Sequence, residues 1–189
     1  MRHDDGPQPG LVKRKVGMYL RCATAVSAMV LGLVTVPVSS ASAASAMYIE
    51  NVNSGLCLAI GSASKTQGVQ AIQWNCESGH AEQQWTYVTD EDTITAIKNV
   101  NSGLCLAIGN GTAGNGEKVI QWNCEASANH LEQFWIHGGS TWHWKNVDTS
   151  QCMAIGSGSK VKGVGAIQWN CEGESDGTHP EQMWVTANF

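Results

Sequence analysis

From residue 47 onward the apolar residues come in runs of four to six, with no sustained helical spacing. The runs are rich in Val, Ile and Trp and are separated by Asn-Ser-Gly, Gly-Ser-Ala-Ser, Gly-Asn-Gly or Ser-Gly. Short runs bounded in this way predict strands joined by tight turns. The first four strands are expected near Tyr48 to Val52, Cys57 to Ile60, Ala71 to Asn75 and Gln84 to Val88. Asn53-Ser54-Gly55 falls between the first two, where a hairpin turn requires a residue at positive φ.

The pattern then returns. Ile72-Gln73-Trp74-Asn75-Cys76-Glu77 recurs unchanged at Ile120 to Glu125 and at Ile167 to Glu172, after intervals of 48 and 47 residues. A second block, Asn51 to Gly61, is identical at Asn99 to Gly109 and loosened at Asn146 to Gly156. A third, His-x-Glu-Gln-x-Trp, ends each unit at Trp85, Trp135 and Trp184. Repeats of this size build folds in which no unit is stable alone. Three repeats, at about 47–92, 93–140 and 141–189, with four strands each, predict an all-β fold of about twelve short strands. Such a sheet closes on itself to hide its edges. Propellers use four to eight blades, so three repeats point to a three-fold barrel capped by hairpins.

The first 46 residues follow a different pattern. Lys13-Arg14-Lys15 and Arg21 precede an apolar run from Cys22 to Val38, followed by small residues with two Ala-x-Ala matches. This order predicts a secretory signal peptide cleaved after Ala43 or Ala46, with Met18 an alternative start. The run is too short for a membrane span. The expected product is secreted and unanchored.

From Ala44 the chain holds six lysines, no arginine and fourteen carboxylates, a net charge of −8. Nucleic-acid binding needs clustered Lys and Arg, so this composition excludes it. Removing the signal also removes Cys22 and leaves six cysteines, two per repeat and always 19 apart. An even count in an exported chain reads as disulfides. The repeat selects Cys57 with Cys76, Cys105 with Cys124 and Cys152 with Cys171. No Cys-x-x-Cys pair supports metal ligation instead.

Three features carry a family resemblance. The Gln-x-Trp ending, the Ser-Gly-x-Cys-Leu opening and the Gln-Trp-x-Cys middle together resemble the ricin B-chain type lectins, over residues 47–189. The resemblance implies a β-trefoil, non-covalent carbohydrate binding of galactose type or to polysaccharide, and no cofactor. It also implies that Trp85, Trp135 and Trp184 build the core. Trp74, Trp122 and Trp169 fall where that family stacks a sugar ring, while Ala59, Ala107 and Ala154 stand where its binding repeats carry an Asp.

The replacement acceptors expected from the sequence are Glu82, Glu132 and Glu181 with Gln83, Gln133 and Gln182. His80, His130 and His179 shape the rim, and Asn75, Asn123 and Asn170 add amides beside the platforms. The bland alternative for each Glu is a capped turn bonded to backbone amides. Strand alternation puts Ile72, Trp74 and Cys76 on one face and Gln73 with Asn75 on the other, so Trp74 shares the disulfide's face unless a bulge intervenes. Ile72 is expected in the core. In the third repeat Trp144 is expected to replace a core Ile, and Trp142, His143 and His137 to form an exposed aromatic patch beside Gly138-Gly139.

No nucleophile elbow, zinc-protease motif or phosphate loop is present, and no unpaired Cys remains after signal removal. The sequence therefore reads as a monomeric, non-enzymatic lectin-like module. The alternative reading is a protein-binding or inhibitory module on the same scaffold.

Overall fold

A computed structural model describes residues 45–88, 94–125, 129–137, 142–173 and 177–187. The residues up to 44, where a signal peptide is expected, and Gly138-Gly139 lie outside them. The first repeat forms β1 (Tyr48–Asn51), β2 (Cys57–Ile60), β3 (Ala71–Trp74) and β4 (Trp85–Tyr87). The second forms β5 (Ile94–Asn99), β6 (Cys105–Ile108), β7 (Val119–Trp122) and β8 (Phe134–Ile136). The third forms β9 (Lys145–Asn146), β10 (Cys152–Ile155), β11 (Ala166–Trp169) and β12 (Trp184–Ala187). Among the described residues no helix is long and apolar enough to cross a membrane.

The outer strands of the repeats close a six-stranded antiparallel barrel. β12 pairs with β1, β4 with β5, β5 with β8 and β8 with β9. Bridges Met47↔Trp85 and His143↔Met183 complete the ring. The hairpins β2–β3, β6–β7 and β10–β11 touch one another through bridges such as Ile72↔Gly165 and Lys118↔Ile167, and so cap the barrel. This arrangement is a β-trefoil. The three expected disulfides form within their repeats.

Trp85, Trp135 and Trp184 are buried in one core with Leu58, Leu106 and Met153. Their indole N–H groups donate to the backbone carbonyls of Leu58, Leu106 and Met153 at 3.0, 3.1 and 2.9 Å. A buried indole is thereby left with no unmet donor. Trp144 joins this core as expected.

The second residue of the recurring six-residue unit bolts the repeats together. Gln121 is fully buried, and its Nε2 donates to the carbonyls of Ser64 and Thr66 in the preceding repeat at 3.0 and 2.8 Å. Its Oε1 accepts from the Ser102 hydroxyl at 2.7 Å. Gln168 makes the same set to Thr112, Gly114 and Thr149, and Gln73 to Ser159, Val161 and Ser54. The cycle runs from repeat 1 to 2 to 3 and back to 1. Asn51, Asn99 and Asn146 add a second tie, each donating to the carbonyl of a Glu in the neighbouring Glu-Gln-x-Trp segment, at 3.0, 2.9 and 2.9 Å.

The turn after β1 adopts the expected left-handed conformation at Gly55, with φ +67°, and Gly103 matches it at φ +70°. The third repeat places Ser150 there, at φ +57°. A residue with a Cβ is strained in that region, whereas glycine is not. Ser150→Gly is expected to stabilise the protein by about 0.5–1 kcal/mol after glycine's extra unfolded-state entropy is counted. A urea titration checks this through a higher midpoint at unchanged slope.

Candidate functional site

Each hairpin carries a shallow groove on its outward face. In the antiparallel register Cys57 faces Trp74 and Ala59 faces Ile72, and facing residues share one side of the sheet. Ala71 and Gln73 point inward and are buried, while Ile72 and Trp74 point outward. The disulfide's face is thus the groove face, and no bulge is needed to expose the Trp. Ile72, Ile120 and Ile167 belong to the groove floor, not to the core as the sequence suggested.

Groove 1 holds about 390 Å³ and is lined by Ala59, Ile72, Trp74, Glu77, His80 and Glu82, among others. Groove 3, about 340 Å³, repeats this set with Ala154, Ile167, Trp169, Glu172, His179 and Glu181. Groove 2 is larger, about 760 Å³, and adds Lys118 and Glu117 to Ala107, Ile120, Trp122 and Glu132. The platform indoles are accessible: Trp122 is 41% and Trp169 37% exposed, and Trp74 is half-buried.

The acidic wall of each groove is built on a short 3₁₀ turn, Ala81–Gln83, Leu131–Gln133 or Pro180–Gln182. The histidine at the start of each turn makes no side-chain cap bond to it. Its ring engages the carboxylates. His80 Nδ1 lies 2.9 Å from Glu82 Oε1, and its Nε2 lies 3.3 Å from Glu77 Oε2. His130 bridges Glu132 and Glu125 at 3.1 and 3.3 Å, and His179 bridges Glu181 and Glu172 at 3.1 and 3.5 Å. The hydrogen bond to Glu82 raises the pKa of His80 above the ordinary histidine value, and the charges of Glu82 and Glu77 add to it against partial desolvation.

The amides expected in the site behave differently from the carboxylates. Gln83, Gln133 and Gln182 are buried, and their Oε1 atoms accept from the backbone N–H of Glu77, Glu125 and Glu172 at 3.0, 2.9 and 3.0 Å. Gln133 and Gln182 also donate to the carbonyls of Asn123 and Asn170. These amides hold the loop that carries the second Cys, while Gln83 and Gln182 also line grooves 1 and 3. Asn75, Asn123 and Asn170 are exposed but do not line the grooves; Asn170 bonds to Gln151.

Sequence reasoning passed over Glu77, Glu125 and Glu172. They are the last residue of the recurring unit, and their exact recurrence was the available signal. The aromatic patch of the third repeat is corrected in part. Trp142 is 49% exposed, but His143 is buried and donates from Nε2 to the Glu172 carbonyl at 3.0 Å. His137 is stacked between Tyr87 and Trp144, with ring centroids 4.9 Å apart on each side. Burial there lowers the His137 pKa and raises that of Tyr87.

An apolar floor with an indole and a few hydrogen-bond acceptors suits a small ligand that offers both a C–H face and hydroxyls. Residues 35–122 match the family model of the ricin-type beta-trefoil lectin domain-like family. Over those residues the chain resembles the ricin-type β-trefoil lectin-like domains. No match was found among curated protein sequences.

The β-trefoil fold of this chain is shared with solved structures. A designed three-fold symmetric protein, ThreeFoil, is 21% identical, with a TM-score of 0.67 over 76% of this chain and 99% of its own. An exo-β-1,3-galactanase from Clostridium thermocellum is 23% identical, with a TM-score of 0.64 over 75% of this chain and 29% of the enzyme. The C-half of the earthworm R-type lectin, solved in complex with GalNAc, is 18% identical, with a TM-score of 0.56 over 75% of this chain and 96% of its own. At these identities the likeness establishes the β-trefoil fold alone.

Proposed function

We propose that the domain binds carbohydrate non-covalently in the three grooves, as a secreted, unanchored monomer released from its signal peptide. The observation that carries this reading is the threefold recurrence of an accessible indole beside a histidine-held carboxylate. Trp74, Trp122 and Trp169 supply the apolar platform for a sugar ring of galactose type, free or within a polysaccharide. Glu82, Glu132 and Glu181 accept hydroxyl hydrogen bonds through the oxygen that histidine leaves open. They take over the task of the Asp that Ala59, Ala107 and Ala154 replace. The earthworm lectin's GalNAc complex supports this class of ligand by analogy of fold.

Glu82→Ala, Glu132→Ala and Glu181→Ala combined are expected to weaken glycan-array binding at least tenfold, since each removes a charged acceptor worth about 1.5–3 kcal/mol. Undiminished array binding by this variant would remove the carboxylates from the site. A second reading, a protein-binding or inhibitory module, draws on the three buried alanines on the groove floors. A wild-type protein silent across the array would favour it.

A further inference from the structure

The three grooves share one motif yet are completed by different neighbours. The loop after the first Cys of each repeat docks on the platform strand of another repeat. Gly163 N–H donates to Gln73 O at 2.7 Å, Gly68 N–H to Gln121 O at 2.8 Å and Gly116 N–H to Gln168 O at 2.9 Å. A Cβ built on Gly163 would sit 3.7 Å from the Trp74 ring, and one on Gly68 3.8 Å from the Trp122 ring. Lys162 therefore stands by Trp74 and Gln67 by Trp122, while Asn115, the matching residue of the remaining loop, accepts from the backbone N–H of Asn170 at 2.8 Å. Only the first is charged, and Lys162 Nζ lies over the Trp74 ring, 4.9 Å from its centroid.

We propose that groove 1 selects a sugar bearing an anionic substituent, a carboxylate or a sulfate, and that Lys162, lent by the third repeat, is the residue that selects it. This rests on the carbohydrate-binding reading above and adds the ligand class of one groove. The indole holds the ammonium at the platform, and its flexible stem lets it reach a substituent projecting past the ring edge. The titratable groups lining groove 1 are Glu77, Glu82 and His80. Groove 3 presents the matching Glu172, Glu181 and His179 with no lysine. Groove 2 carries Lys118, but beside Glu117 and Glu132 and not on its platform. Groove 1 is thus one unit less negative than groove 3 for the same floor, which makes groove 3 an internal control.

The test is a titration of the purified protein, labelled with fluorotryptophan, in which the NMR signals of Trp74, Trp122 and Trp169 report each groove separately. The probes are matched pairs: methyl galactoside with methyl galacturonide, and galactose with galactose 6-sulfate. The Trp74 signal is expected to saturate at about two- to fivefold lower concentration of the acidic member, the range of an exposed ion pair. Added salt should shrink that preference. Lys162→Gln should abolish it, and Gln67→Lys should confer it on Trp122. If the acidic and neutral sugars bind Trp74 alike, or if Lys162→Gln leaves the preference intact or tightens neutral binding, the proposal is overturned while the lectin reading stands. If no probe moves any of the three signals, both are overturned.

Discussion

Replacing Trp135 with alanine is expected to destabilise the folded protein by about 3–5 kcal/mol, the range for a buried Trp or Phe cut back to Ala. The ring is fully buried among residues from all three repeats. Its loss also strands the Leu106 carbonyl, which now accepts from the indole at 3.1 Å. A domain of this kind has about 5–15 kcal/mol in total, so most of its margin would go. Trp122→Ala is the control. That ring is 41% exposed and bonded through its indole to no core carbonyl, and its removal should cost about 1 kcal/mol or less. Urea melts of the two variants decide the matter. Equal costs would mean that the Trp of Gln-x-Trp does not organise the core.

The contrast between these tryptophans was largely legible in the sequence, because each sits in a block that recurs three times. The repeat also selected the disulfide pairing and located the positive-φ turn, later seen at Gly55 and Gly103. Period-2 alternation correctly set Trp74 with Ile72, apart from Gln73. What alternation does not carry is which face the barrel buries. Ile72 was therefore read as core, although the buried face is that of Ala71 and Gln73.

The polar residues were harder to read for a different reason. Gln83 and Glu82 are neighbours in sequence, and either could accept from a sugar. The backbone amide of Glu77 claims the Gln, and the ring of His80 positions the Glu. A loop's demand for hydrogen-bond partners becomes visible only once the loop is closed. Contacts between repeats are hidden for the same reason. Nothing in the period says that Lys162 meets Trp74 and not Trp169, since that follows from the direction in which the three hairpins interlock.

The second large effect concerns avidity. On the proposed reading the three grooves engage a polymeric glycan together, and linked weak sites gain about 10²–10⁴ in apparent affinity where geometry allows simultaneous contact. Trp122→Ala combined with Trp169→Ala removes two platforms that are 41% and 37% exposed, so the core and the inter-repeat glutamines should stay intact. The double variant is then expected to keep the far-ultraviolet spectrum and the groove 1 affinity of the wild type.

Its binding to a polysaccharide is the measurement that bears most directly on the three-groove account. Wild type and double variant are compared on immobilised galactan and, in parallel, on the matching monosaccharide at Trp74. The account predicts a loss of about 10² or more on the polymer with the Trp74 monosaccharide affinity unchanged. Polymer binding that survives the loss of both platforms would contradict it.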